Sequence, residues 1–418
     1  MENIKSLKCI SCGREYPSNS SILTCPDCGQ NGILDVIYDY DYIKRNVSRK
    51  IFYCNPDHSI WRYSSFLPVL KDSPRTPLKV GWTPFYKARN LAKTLGVNHL
   101  FIKDDGLNPT ASLKDRASAI AVVKAREEGY ETVACSSTGN AASSLAGNAA
   151  AMGLKRVIFV PQRAPQGKVA QLLIFGATVI IVQGDYEDTF RLSAEAIDYW
   201  GWYNRNAAIN PYLVEGKKTV TMEICEQLDW QVPDWAIFSV GDGCTIAGAW
   251  KGFKDLYQVG LIDRLPKMIG VQAEGCCPIT KAFHGGSLEP MEENTIADSI
   301  AVGVPRNPQK ALNAIKESKG TMINVTDEEI LEAMKLLGNT CGIFGEPAGV
   351  TGLAGLKKLI SLGMIDRNDR IVTCITGNGL KDIQNAIKAA GEPIKVNPDI
   401  TELKMKLSGL IKGKSKEF

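Results

Sequence analysis

Histidine is almost absent from this sequence: three residues in 418, at His58, His99 and His284. A His-rich metal centre is thereby excluded, and acid–base chemistry has to come from other side chains. No apolar run reaches the roughly 18 residues that a membrane-spanning helix requires. The opening segment, MENIKSLKCISC, lacks the apolar core of a signal peptide. Forty-nine Lys plus Arg against 45 Asp plus Glu leave a net charge of +4, too small to argue for a nucleic-acid partner. Internal repeats and low-complexity tracts are missing as well. A cytoplasmic protein with no membrane or nucleic-acid partner is expected. The composition, 44% hydrophobic and 22% charged with 38 Gly and 20 Pro, is that of a folded chain. Its length exceeds one ordinary domain of about 100–200 residues.

Cysteine, by contrast, is plentiful, with 12 residues. In a reducing compartment these are metal ligands, buried thiols or nucleophiles rather than disulfides. Cys9 and Cys12 form one C-x-x-C and Cys25 and Cys28 a second, each followed by glycine (Gly13, Gly29). Two tight turns at this spacing present four thiolates to one tetrahedral ion, the arrangement of a structural zinc ribbon; a pair of redox sites is the competing reading. Four thiolates would leave no open position on the metal, so a scaffold role is expected for residues 1–38. The other cysteines, Cys54, Cys135, Cys225, Cys244, Cys341 and Cys374, are expected to be buried thiols. The same is expected of Cys276 and Cys277, with a cleft-facing position as the alternative.

Residues 39–85 read as a polar connector containing aromatic residues and prolines at 56, 68, 74 and 77. From about residue 98, short β-rich runs alternate with helix-length stretches. The runs are 99–103, 132–135, 156–160, 178–182, 202–204, 236–240, 268–272 and 370–375. Helices are expected over 113–128, 139–152, 168–175, 189–200 and 216–228. Such alternation predicts an α/β protein with parallel sheets. About 300 residues of it predict two parallel-sheet subdomains with a site in the cleft between them, preceded by the small four-cysteine zinc ribbon. The catalytic domain would span 86–395, its smaller subdomain about 125–210, and a solvated tail 396–418 would follow.

Ligands of open α/β sheets bind beyond the carboxyl ends of the strands, and four such turns stand out. The first is Asn108-Pro109-Thr110-Ala111-Ser112-Leu113-Lys114-Asp115-Arg116. A lysine where loop becomes helix has neighbours that depress its pKa, and a neutral amine can condense with an aldehyde; a solvated first-turn lysine is the alternative. The second is Ser136-Ser137-Thr138-Gly139-Asn140-Ala141, whose turn aims free amides at an anion. The third, Gly241-Asp242-Gly243-Cys244-Thr245, suits a phosphate, although no Walker lysine follows it. The fourth is Thr376-Gly377-Asn378-Gly379-Leu380-Lys381-Asp382.

Taken in this order, the four turns resemble those of the threonine synthase group of pyridoxal-phosphate enzymes, of the tryptophan-synthase-β type (fold-type II). The likeness runs from Trp82-Thr83-Pro84 to about Asp382, and some members carry an N-terminal zinc knuckle. It implies that Lys114 links to the cofactor and shuttles protons. It also implies that Asn140 bonds the cofactor's phenolic oxygen, and that Ser137, Thr138 and Gly139 hold the substrate carboxylate. The turn Gly241, Asp242, Gly243, Cys244, Thr245 would cradle the cofactor phosphate, and the Thr376 hydroxyl would face the pyridine nitrogen. Such a chain would be a carbon–oxygen lyase taking O-phospho-L-homoserine and water to L-threonine and phosphate, with a homodimer expected. Glu346-Pro347-Ala348 resembles segments that line the cofactor ring, although helix capping explains it equally.

The departures fall where the group binds its substrate's phosphate. Leu213 stands where an arginine is usual, Ala141 where a threonine is usual, and Ala207 and Ala208 replace a polar pair. Ala111 and Leu113 stand where Gly and Phe are usual. Lys217, in a slot that is usually Gln, offers a point charge in compensation, and Arg205 or Lys168 could reach in. A homologue eliminating or replacing at Cβ of another amino acid, such as a serine or threonine ammonia-lyase or a sulfur-amino-acid synthase, is the alternative enzyme. A non-catalytic protein that binds through its ribbon is the alternative outside enzymes.

Overall fold

The computed structural model describes residues 1–162, 164, 166–184 and 186–414. Its larger sheet has six strands in the order Thr321–Val325, Lys267–Ala273, Trp235–Ser239, Arg370–Ile375, His99–Asp104 and Phe85–Lys87. All neighbours are parallel except the edge strand Phe85–Lys87. The smaller sheet is wholly parallel, in the order Thr178–Val182, Lys155–Pro161, Thr132–Ser136 and Tyr203–Asn204. The protein is therefore α/β with two parallel-strand sheets. Strands such as Trp235–Ser239 are buried along their whole length, as expected where helices cover both faces.

The helix Lys114–Glu127 is buried from Asp115 to Ala125 and shares its apolar residues between two cores, Ile120 and Val123 with Ala236 and Phe238 of the larger sheet and Ala121 and Val122 with Val133 and Cys135 of the smaller. Its alanines let neighbours come close. A Cβ on Gly216 would lie 2.1 Å from the Arg116 carbonyl oxygen, so only glycine permits this helix–helix approach. The single helix expected over 216–228 is two: Tyr212–Lys217 and Thr219–Gln227.

Residues 39–85 fold onto the body. Phe52, Trp61, Tyr63 and Phe66 are buried in one cluster with Trp230 and Phe253. At the N-terminus, Glu15–Pro17, Ile4–Cys9 and Leu34–Tyr38 form a three-stranded antiparallel sheet. The tail carries the helix Ile400–Lys414; residues 415–418, which belong to the expected solvated end, lie outside the described residues. Cys135, Cys225, Cys244, Cys276, Cys277 and Cys374 are buried and Cys341 is half-buried. Cys54 is the exception among the expected buried thiols: it is exposed at the end of the five-residue helix Arg49–Tyr53, which buries only Phe52. No helix among the described residues is long and apolar enough to cross a membrane.

Candidate active site

Lys114 is the first residue of its helix. The loop before it is stitched to the turn after strand Arg370–Ile375: Leu113 N donates to the Thr376 carbonyl over 2.9 Å, and Asn378 N donates to the Ala111 carbonyl over 3.1 Å. Ala111 takes φ +65°, a left-handed conformation that disfavours any side chain and explains why glycine suits the position. The residues after Lys114 are scaffold. The buried Arg116 guanidinium is bonded to Asp105 and Glu223. The Asp115 carboxylate accepts from Thr110 N, Thr110 Oγ1 and Asn148 Nδ2.

Two adjoining cavities of about 150 Å³ each meet at Lys114. The first is lined by Ser137, Ala141, Lys217, the whole turn from Gly241 to Thr245, and Thr376. The second is lined by Ser137, Thr138, Gly139, Asn140 and Ala141. Ser137 to Ala141, Lys217, Gly241 to Thr245 and Thr376 thus surround one amine, whereas Lys168 lines neither cavity. Burial, with Lys217 and Arg205 nearby, lowers the Lys114 pKa to about 8, against the opposing pull of Glu346 and Cys244.

Glycine is compulsory in the third turn. Gly243 has φ +88°, and a Cβ there would lie 2.4 Å from the Asn307 carbonyl oxygen. The amides of Cys244, Thr245 and Ile246 precede the first bond of the helix Cys244–Gln258, which Ala247 N makes to the Gly243 carbonyl at 3.1 Å. Those amides, left free at a helix start, are suited to an anion. Asp242 contributes only backbone there, because its Oδ1 accepts from Arg306 N at 2.6 Å. The Thr376 hydroxyl has no hydrogen-bond partner among the described residues and lines the same cavity.

This donor set fits pyridoxal phosphate: an amine for its aldehyde, a glycine-lined helix start for its phosphate, and an unpaired hydroxyl on the wall. Two further residues belong to the arrangement. Glu346 sits at the N-cap of helix Pro347–Ser361 but makes no capping bond. Its Oε1 instead accepts from Asn140 Nδ2 over 2.6 Å, so the capping alternative is set aside. A Cβ on Gly377 would strike Glu346 Oε1 at 2.1 Å, which ties that glycine to the same contact. Ser299, from a short turn, lines both cavities, and nothing in its sequence neighbourhood points to it.

The sulfurs of Cys9, Cys12, Cys25 and Cys28 lie within 4.8 Å of one another, and Cys12 and Cys25 are 3.7 Å apart. Tetrahedral zinc–thiolate bonds place sulfurs roughly 3.8 Å apart, so the cluster has the dimensions of a zinc site. It is welded to the catalytic body. Asp35 pairs with Lys251 and Lys310, and Tyr38 donates to Glu215. Ile33 packs with Ala208, Val214 and Cys244.

Residues 76–377 match the family of pyridoxal-phosphate dependent enzymes. The chain is 44% identical over 407 residues to threonine synthase of Methanocaldococcus jannaschii, covering 96% of this chain and 99% of that protein. It is 43% identical over 411 residues to threonine synthase of Methanosarcina acetivorans, covering 97% and 99% respectively. Among solved structures, threonine deaminase isoform 2 of Solanum lycopersicum superposes with a TM-score of 0.63 at 22% identity, over 85% of this chain and 95% of that one. That last likeness speaks to the fold alone.

Proposed function

This chain belongs to the pyridoxal-phosphate dependent enzymes, and we propose on that footing that it is a threonine synthase, converting O-phospho-L-homoserine and water to L-threonine and phosphate. It is a carbon–oxygen lyase: the Cγ–O bond to phosphate breaks, Cβ gives up a proton and takes the hydroxyl of water, Cγ gains a proton, and the remaining proton of water leaves with the phosphate. The observation that carries the reading is the Lys114 amine at the junction of two cavities, one walled by the glycine turn and Thr376, the other by the Ser137–Asn140 turn. Similarity to threonine synthases over nearly the full length of both chains supports the same substrate.

When bound, pyridoxal phosphate supplies an electron sink for negative charge developed at Cα. Lys114 would hold the cofactor through its aldehyde, and its amine would move protons among Cα, Cβ and Cγ of the substrate. Its lowered pKa keeps part of the amine neutral near pH 7. Ser137, Thr138 and Gly139 would hold the substrate carboxylate. Asn140, fixed by Glu346, would donate to the cofactor's phenolic oxygen. The amides from Gly243 to Ile246 would take its phosphate, and Thr376 would present a neutral hydroxyl to the ring nitrogen, favouring elimination and replacement over transamination.

The cysteine cluster is proposed to hold structural zinc that fixes the N-terminal sheet beneath the glycine turn. A cytoplasmic homodimer belongs to the same reading. It is supported by Leu380, Ile383 and Ile387, which are exposed next to the Thr376 turn. The test is product analysis of purified protein with O-phospho-L-homoserine, O-phospho-L-serine, L-serine and L-threonine. Threonine and phosphate from the first substrate are expected; a 2-keto acid and ammonia from the others, with none from the first, would overturn the assignment.

A further inference from the structure

Eight basic side chains are buried among the described residues: Arg62, Lys103, Arg116, Lys124, Arg205, Lys217, Lys218 and Lys251. Six of them pair with carboxylates. Arg62 meets Glu226, Lys103 and Arg116 meet Glu223, Lys124 meets Glu127, Lys218 meets Asp255, and Lys251 meets Glu215. That is the expected outcome, since an unpaired buried charge is strongly destabilising. Arg205 and Lys217 break the pattern. Neither has a carboxylate partner among the described residues, and both line the cavity that holds Lys114 and the glycine turn.

The two residues differ from their structural counterparts in a second respect. Arg116 commits its guanidinium to two carboxylates. Arg205 uses only Nε and Nη2, both on the hydroxyl oxygen of Ser118, at 3.2 and 3.0 Å. A guanidinium has five N–H donors, so part of the fork is left for the cavity. Lys217 has no hydrogen-bond acceptor among the described residues. Its charge lies close enough to Lys114 and Arg205 for the three to repel one another, and burial with Arg205 nearby lowers its pKa. A fold that satisfies six buried cations internally leaves these two for something that enters from outside, and that something is an anion.

We propose that Arg205 and Lys217 together form the recognition site for a phosphate-monoester anion, and that this anion is the distal phosphate of the substrate. The inference rests on the function proposed above and names the residues that would confer its specificity. The cofactor's phosphate has its own donors in the backbone amides of Cys244, Thr245 and Ile246. Arg306 also lines this cavity but is engaged elsewhere, and two positions singled out from the sequence do not contribute. Leu213 is buried in the core of the smaller sheet, and Lys168 is paired with Asp298. Ala141 and Ala207 line the same cavity without a polar side chain. Their small size leaves room for the anion, and Arg205 and Lys217 supply its donors from another direction.

The experiment uses the holoenzyme, with cofactor loaded, and inorganic phosphate as the probe. Wild-type holoenzyme is expected to bind phosphate in a calorimetric titration. Lys217→Gln and Arg205→Met are each expected to weaken that binding by roughly 10- to 100-fold, the value of one charge-assisted hydrogen bond. The KM for O-phospho-L-homoserine should rise by a similar factor, with a smaller change in kcat and no change in cofactor occupancy. Arg205→Lys should recover part of the loss. If Arg205→Met does not fold, Lys217→Gln carries the test alone. Variants that bind phosphate normally but need tenfold more cofactor to fill would overturn the substrate assignment and give the anion to the cofactor. Variants that match wild type in both respects would remove the site altogether. Holoenzyme that binds phosphate through these residues yet leaves O-phospho-L-homoserine unconverted would sink the threonine synthase reading alone.

Discussion

Asn140 Nδ2 donates to Glu346 Oε1 over 2.6 Å, and this bond joins the helix that follows the smaller sheet's strand Thr132–Ser136 to the helix Pro347–Ser361 on the larger sheet. Glu346 is buried, and burial raises its pKa, opposed in part by Lys381, Lys168, the Asn140 amide and Lys114. The effect of Glu346 is to hold the Asn140 amide at one orientation beside Lys114. Glu346→Gln keeps an oxygen acceptor and is expected to cost little in cofactor binding. Glu346→Ala leaves Asn140 Nδ2 only its longer bond to Ser299 Oγ, 3.3 Å, and is expected to lower kcat/KM by roughly 10- to 100-fold, as loss of a charge-assisted bond would. Equal activity in the two variants would remove Glu346 from the arrangement.

Lys114→Ala removes the amine on which the two cavities converge. The purified variant is expected to lack the visible absorbance of lysine-bound cofactor and to lose at least about 10³-fold in turnover, as expected when both a nucleophile and a proton carrier are lost. Cofactor held only through its phosphate should then dialyse away. A persisting visible band would show that another amine captures the aldehyde.

The legible parts of this molecule are those in which local chemistry and local structure coincide. The strands Thr178–Val182 and Arg370–Ile375 follow directly from β-rich runs between helices. The turns after strands stand out because glycine, hydroxyl and lysine cluster there. The illegible parts depend on partners distant in the chain. Thr321–Val325 pairs beside Lys267–Ala273, but the run is short and Asn324 interrupts its apolar residues, so nothing local marks it as a strand. Trp61 and Tyr63 sit in a proline-rich, polar stretch, yet they are buried because Trp230 and Phe253 wait for them. Glu346 meets Asn140 across 206 positions. Arg205 is informative only through the carboxylate it lacks, and no one-dimensional pattern displays a missing partner.

Ala111 holds a left-handed backbone at φ +65°, at a cost that glycine would not incur. Ala111→Gly is expected to stabilise the protein by about 0.5–1 kcal/mol, the left-handed penalty less the extra unfolded-state entropy of glycine. Chemical denaturation of wild type and variant measures it directly. A destabilised variant would mean that the alanine methyl packs usefully against the cofactor loop.

One zinc per chain is expected from metal analysis, and its removal should be felt at the active site. Asp35, at the end of the N-terminal sheet nearest the body, accepts from Lys251 at 2.9 Å and Lys310 at 3.0 Å, and Ile33 touches Cys244 of the glycine turn through a shared apolar cluster. Metal binding by four thiolates is folding energy for so small a sheet. Cys12→Ser, or treatment with a strong chelator, is therefore expected to expose residues 1–38 to protease and to weaken cofactor retention several-fold. Intact retention after complete metal removal would confine the ribbon to a role independent of the turn.

The pH dependence of cofactor capture follows from the position of Lys114. Only the neutral amine attacks an aldehyde, and burial brings its pKa down from 10.5 to about 8, reinforced by Lys217 and Arg205 and opposed by Glu346 and Cys244. At pH 7 about one amine in ten is then neutral, against roughly one in 3,000 for an unshifted lysine. As pH falls below 8 the neutral fraction falls about tenfold per unit, and above 8 it saturates. Apoprotein mixed with pyridoxal phosphate should therefore develop its visible band at a rate that climbs from pH 6 to about 8 and then levels off. In Lys217→Gln, one repelling charge is gone, so the Lys114 pKa rises and the plateau should begin at higher pH. Stopped-flow absorbance across this range reads both curves, and an unchanged midpoint in Lys217→Gln would mean that the two charges do not act on each other.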